Sequence, residues 1–168
     1  MMRDGEFLPV EEFWSVVEAC RCRSIDTASF AEGLAFALIT WDYHQLAAFH
    51  NTMWYDVGVY HATELRGILL EQEDYDWLSS QNAWESYGGW LIGQGRKFHE
   101  KVMHKPQVAL TRLPSDVEID AGERVIFAAE EACLRKTERK YGLDDMVEDF
   151  VPKNALSYLG WRRAGRGG

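Results

Sequence analysis

One short stretch of the chain collects Gln94, Arg96, Lys97, His99, Glu100 and His104, side chains able to grip anions, bind metals or move protons. Arg96 offers a planar fork of donors that matches a carboxylate, and Gln94 offers an amide that both donates and accepts. Together they could hold an acidic ligand or a buried backbone group. Glu85 and Glu100 are the acids within reach of Arg96, and Glu100 lies at i+4 on the same helical face. Such pairs populate ordinary helices, so a structural ion pair is favoured over a ligand site. Glu100 and His104 also share a face, with His99 beside them, and His44, His50 and His61 occur earlier. Neither His-Glu-x-x-His nor a paired Glu-x-x-His is present, so the expectation is no metal site and no cofactor.

Other chemistry is equally thin. The sequence has no Gly-x-Ser-x-Gly elbow, and Glu130 and Glu131, adjacent on a helix, face apart and make a poor acid–base pair. Gly89, Gly93 and Gly95 fit neither the Gly-x-Gly-x-x-Gly nor the Walker pattern. Gly89 and Gly93 instead share a helix face, where missing side chains admit a second helix. Each interior glycine costs roughly 1 kcal/mol relative to alanine, which argues for a packing or binding reason. Cys20, Cys22 and Cys133 form no Cys-x-x-Cys pair or disulfide framework. Reduced thiols and a cytoplasmic location are therefore expected, with at least one of Cys20 and Cys22 in the core.

With 168 residues, 46% of them hydrophobic, the chain can bury the core of one domain. Its 27 acidic and 18 basic residues give a net charge of -9, which opposes attraction to nucleic acid or an anionic membrane. Arg162, Arg163 and Arg166 beside Trp161 are too few to reverse that. A basic protein partner fits better. No apolar run approaches the ~20 residues that span a bilayer. Glu6, Glu11 and Glu12 leave no room for a signal-peptide apolar stretch. The seven tryptophans point to a core or a binding surface made of large rings, the core being favoured.

The elements that must position these residues read as helices. Phe13, Val16, Val17 and Cys20 recur at helical spacing from Pro9 to Ser24. Asp26 or Thr27 then caps a helix carrying Phe30, Leu34, Ala37 and Leu38, and Thr40 caps a third carrying Leu46, Phe49, Met53 and Val57. Beyond Gly58 this helix either continues through Leu65, Ile68 and Leu69 or breaks near 60–63. The acidic stretch from Glu71 to Trp77 reads as a connection. Ser79, Ser80 and Asn82 precede a central helix over 82–104 with Trp84, Tyr87, Leu91, Phe98 and Val102, ended by Pro106. An irregular crossing through Leu110, Leu113 and Pro114 leads to a helix over 120–141, with Val125, Ile126, Ala129, Ala132 and Cys133 inward. Glu131 and Arg135 form an i,i+4 pair there, and Gly142 is placed to end the helix. The expectation is one all-α domain of about five helices over residues 1–152, then an extension over 153–168 whose last residues are disordered.

Phe13-Trp14, Ser80 and above all Gly89-Trp90-Leu91-Ile92-x-Gln94-Gly95-Arg96, followed by Phe98 and Pro106, resemble bacterial domain-of-unknown-function family 4240 from about Pro9 to Gly142. The family pattern upstream typically reads Ser-Asp-Asp-Gly-Phe-Asp-Tyr-Phe-Arg, whereas this chain has Ser80-Gln81-Asn82-Ala83-Trp84-Glu85-Ser86-Tyr87-Gly88. Amides in place of both leading aspartates can neither ionise nor take a proton, so the departure favours either a structural role, with Asn82 as a helix cap, or a member that has diverged in function. The resemblance implies a bacterial cytosolic protein and supplies no reaction. The leading expectation is a small acidic protein-binding module, either toxin-neutralising or a regulatory adaptor. The competing expectation is an enzyme or small-molecule-binding domain with a pocket near Trp90, Gln94 and Arg96. Trp84, Trp90, Gln94 and Arg96 are the candidate ligand- or partner-binding residues, and enzyme is the minority reading.

Overall fold

The computed structural model describes residues 7–148 and 150, and all regular structure among them is helical. The nine α-helices are α1 (Val10–Arg21), α2 (Thr27–Leu38), α3 (Tyr43–Asn51), α4 (Thr63–Leu70), α5 (Gln81–Gly93), α6 (Arg96–His104), α7 (Asp116–Ile126), α8 (Ala128–Lys136) and α9 (Leu143–Met146). A π-helical segment, Thr52–Val57, extends α3, and 3-10 turns cover Val59–His61, Asp76–Ser79 and Pro106–Thr111. The extension over 153–168, with Trp161 and its arginines, lies outside the described residues.

The all-α class holds, but breaks raise the count above about five. The third helix is capped by Asp42, not Thr40: Asp42 Oδ1 accepts from the Gln45 N–H at 2.9 Å, and Gln45 Oε1 accepts from the Asp42 N–H at 3.0 Å. Its π extension stops at Gly58, where an added Cβ would lie 2.7 Å from the carbonyl oxygens of both Met53 and Trp54. The chain therefore breaks before α4 and does not run on.

The central helix over 82–104 is two helices, because Gly95 has φ +93°, a left-handed conformation that other residues avoid. The helix over 120–141 is also two. α7 starts at Asp116 under a reciprocal cap between Ser115 and Glu118, and it ends before Phe127, at φ −99° and ψ 9°. The Ile126 carbonyl freed by that break accepts from Trp54 Nε1 at 3.0 Å, so that carbonyl is not orphaned. α8 ends at Lys136, followed by Glu138 and Arg139 at positive φ. Gly142 does not terminate that helix. It opens α9, its N–H donating to Asp145 Oδ2 at 3.0 Å.

Two hydrophobic clusters follow. The larger gathers Phe13, Trp14, Leu34, Phe49, Trp54 and Val125 between α1, α2, α3 and α7 to α9. The smaller gathers Leu65, Leu69, Trp84, Tyr87, Trp90 and Val102 between α4, α5 and α6. α5 and α7 join them. They approach so closely that a Cβ on Gly122 would sit 2.2 Å from the Ser86 carbonyl oxygen, and one on Gly89 would meet the Gly122 carbonyl. Gly89 is thus the helix-contact glycine that the spacing suggests. Gly93 faces a different neighbour, Phe30 of α2.

Candidate functional site

The family-like run folds into two unlike halves. In α5, Trp84 stacks on Tyr87 with ring centroids 5.4 Å apart and planes 4° from parallel, and Tyr87 meets Trp90 at 5.4 Å. Trp84 and Trp90 are only 2% and 1% exposed, so neither presents a ring to a partner. Arg66 of α4 covers Trp84 at 5.4 Å and donates to the carbonyls of Leu78 and Ser79, fixing the approach to α5. Position 81, where the family pattern has an aspartate, holds Gln81 with its Oε1 3.4 Å from Arg66 Nη1. Ser80 rather than Asn82 caps the helix, accepting from the Ala83 N–H at 3.5 Å. Asn82 contributes its carbonyl, which accepts from Ser86 Oγ.

After Gly93 the chain turns polar. Arg96, 32% exposed, forms a two-pronged pair with Glu11 of α1, Nη1 to Oε2 at 2.6 Å and Nη2 to Oε1 at 2.7 Å. Its Nε donates to Glu100 Oε1 at 2.6 Å, the i+4 contact expected from spacing. Glu85 is not its partner and accepts instead from Tyr60 Oη at 2.9 Å. The donors beside Glu11 hold that carboxyl below its ordinary range, and the two acids push the guanidinium further up. A third carboxylate, Glu18 Oε1, accepts from the Arg96 N–H at 2.7 Å and so caps α6 from α1. The ion-pair reading of Arg96 describes this geometry. Gln94 Oε1 accepts from Arg112 Nη1 at 3.1 Å, while the Arg112 guanidinium lies 4.3 Å from the Phe98 ring centroid.

The remaining candidates are dispersed. His99 is buried, with Nε2 2.8 Å from the Val57 carbonyl oxygen that ends the π segment, so Nε2 carries the proton and donates. Burial holds its pKa below the ordinary value. Glu131 pairs with Arg135 and Arg139, whereas half-buried Glu130 has its carboxyl pushed up by desolvation, with Asp144 adding to the effect. Cys20 is partly buried, Cys22 exposed and Cys133 buried, all three as free thiols. Among the described residues no three His, Cys, Asp or Glu side chains converge on a possible metal position. No described helix is long and apolar enough to cross a membrane.

A cleft of about 360 Å³ opens between Arg21 and Gln94 on one hand and Asp26 and Glu118 on the other, with Phe30 and Gly93 also lining it. Beside it, Tyr75 Oη donates to the Pro114 carbonyl at 2.7 Å and ties the acidic connection after α4 to the start of α7. Burial raises the Tyr75 phenol, and the fields of Asp116, Glu118 and Asp74 raise it further. Val117 of α7 is 76% exposed, and Ile25, 94% exposed, lines the cleft that Glu118 shares. Spacing alone could not join residues 74 and 116. The visible signals were the acidic run and the Ser115-x-x-Glu118 capping pattern.

The family model for a protein of unknown function (DUF4240) matches residues 8–135. The chain belongs to that family. In this DUF4240 domain the matched region runs from the residue before Pro9 to Arg135 in α8, and so takes in both halves of the motif. No curated protein and no solved structure matches the chain.

Proposed function

We propose that this DUF4240 domain is a small acidic protein-binding module of the cytoplasm, neutralising a basic partner or acting as an adaptor. The observation that carries this reading is the face around Tyr75. The Tyr75–Pro114 hydrogen bond brings the acidic connection that holds Asp74 to the start of α7, which holds Asp116 and Glu118. Val117 of that helix turn is exposed, as is Ile25 in the cleft that Glu118 also lines. An acidic region that also exposes aliphatic side chains suits a basic segment carrying an apolar anchor. The net charge of -9 would speed encounter with such a partner, at a rate that falls as salt rises. Three free thiols accord with a reducing compartment. Trp84 and Trp90 are buried beneath the surface and Arg96 is held by Glu11 and Glu100, so neither ring nor guanidinium serves the contact.

The test is capture from native cytosol at low salt with the wild-type chain and with the double variant Asp74→Asn, Asp116→Asn. The expected result is a protein retained by the wild type, released by salt and lost with the variant. Recovery of no protein, or equal recovery on both chains, would overturn the reading.

A further inference from the structure

We propose that the cleft beside Gln94 is a binding site for a small zwitterion, a free amino acid or close analogue with a modest apolar side chain. Its volume of about 360 Å³ is that of a small-molecule site, and it abuts the family motif at Gly93 and Gln94. Its charged groups carry both signs. Arg21 is 42% exposed and has one carboxylate contact, to Glu18 Oε2 at 3.6 Å, too long for a hydrogen bond. Glu18 spends its other oxygen on the Arg96 N–H at 2.7 Å. The Arg21 fork therefore keeps donors for an incoming carboxylate.

Asp26 and Glu118 complement it. Asp26 Oδ1 accepts from the Ser29 N–H at 2.7 Å, and that bond keeps the carboxyl ionised; its second oxygen is left for an ammonium group. Glu118 Oε2 serves Ser115 at 2.8 Å and leaves Oε1 in the same way. Two carboxylates against one guanidinium, in a chain of charge -9, disfavour a simple anion, while a simple cation leaves the Arg21 fork unused.

Ile25, 94% exposed, supplies apolar surface, with buried Phe30 beneath. Gly93 forms the floor next to that ring, where a Cβ would press to 3.3 Å of Phe30 Cδ1. Gly95 has a second role here: a Cβ at that position would lie 2.7 Å from Arg21 Nε, so the glycine lets the guanidinium lie over the corner.

The experiment is calorimetric titration and thermal shift of the full chain with valine, leucine and methionine, each also as its N-acetyl derivative and its methyl ester. Free amino acids are expected to bind and to raise the melting temperature. Each blocked form should bind about ten-fold more weakly, the loss that one charge-assisted hydrogen bond implies. In Arg21→Gln the ester and the free acid should bind alike. Should that variant not fold by circular dichroism, Glu118→Gln, which preserves the cap, should bring the N-acetyl and free forms together.

Absence of binding at millimolar concentration, blocked forms that bind as well as free ones, or unchanged selectivity in the variants would each overturn the proposal. The variant Asp74→Asn, Asp116→Asn leaves amino-acid binding intact if the site is the cleft, so failure here and failure of the protein-binding face are separate results.

Discussion

α5 and the corner that follows it cohere by different physics. Trp84, Tyr87 and Trp90 are sealed in the smaller core, and α5 meets α7 with backbone against backbone at Gly89 and Gly122. Just downstream, Arg96 stays partly in solvent, held by Glu11 and Glu100, with Glu18 on its N–H. The first region rests on area removed from water and on contact at close range, which salt hardly touches. The second rests on charge pairs in a high dielectric, which salt screens. One short motif therefore joins a rigid, dry joint to a soft, ionic latch.

Substitutions should separate the two. Trp90→Ala empties a fully buried indole site and should lower unfolding free energy by roughly 4 kcal/mol in a urea titration. Gly122→Ala should cost about 2 to 3 kcal/mol by the same measurement, because the new methyl meets the Ser86 carbonyl. Ordinary helix propensity argues for a gain of about 1 kcal/mol, so stabilisation by alanine would refute the close approach of α5 and α7. Gly95→Ala, forced to φ +93°, should cost about 1 to 2 kcal/mol.

The corner's histidine gives a pH test. His99 has its pKa lowered in the fold by burial, so below its ordinary value of 6.5 the unfolded chain takes up a proton that the native chain refuses. Stability is complete above that pH and should fall as pH drops from 6.5 toward the folded pKa, by at most about 1.4 kcal/mol per pH unit for one proton. Chemical denaturation at pH 7 and pH 5 should show the slope, and His99→Gln, which can still donate to Val57, should flatten it. Smallest of all, Arg96→Gln should lower the melting temperature slightly in dilute buffer and not at all in molar salt. An effect that survives molar salt would place the corner with the dry joint.

What the sequence made legible follows from the range of each interaction. The pairs Arg96–Glu100 and Glu131–Arg135 could be read because helical spacing alone brings them together. Ser80 could be read as a capping residue, since the signal is the residue type at the edge of an apolar series. The partners of Arg96 in α1, the Gly89–Gly122 contact and the Tyr75–Pro114 tie depend on how distant helices dock, which periodicity does not encode. The same limit hid the breaks at Gly95 and Phe127. Apolar residues are buried on both sides of each break, so the hydrophobic stripe continues while the backbone turns. Gly95 itself was the available sign, as glycine is the residue that takes a left-handed turn without strain. Arg21, Asp26 and Glu118 were missed as a group because they come from three separate stretches, and Asp26 was legible only as a cap.

The latch between Glu11, Glu18 and Arg96 also constrains the order of assembly. The first helix leaves the ribosome early, yet its acids must wait for a residue 78 to 85 positions later before they find their partner. During synthesis α1 can associate with α2, but its seat is completed only after the whole of α5 has emerged. Until then α1, with its buried Phe13 and Trp14, is held mainly by apolar contacts. A ribosome stalled before Arg96 should therefore carry a nascent chain whose first helix is readily cut by protease, and release past α6 should protect it.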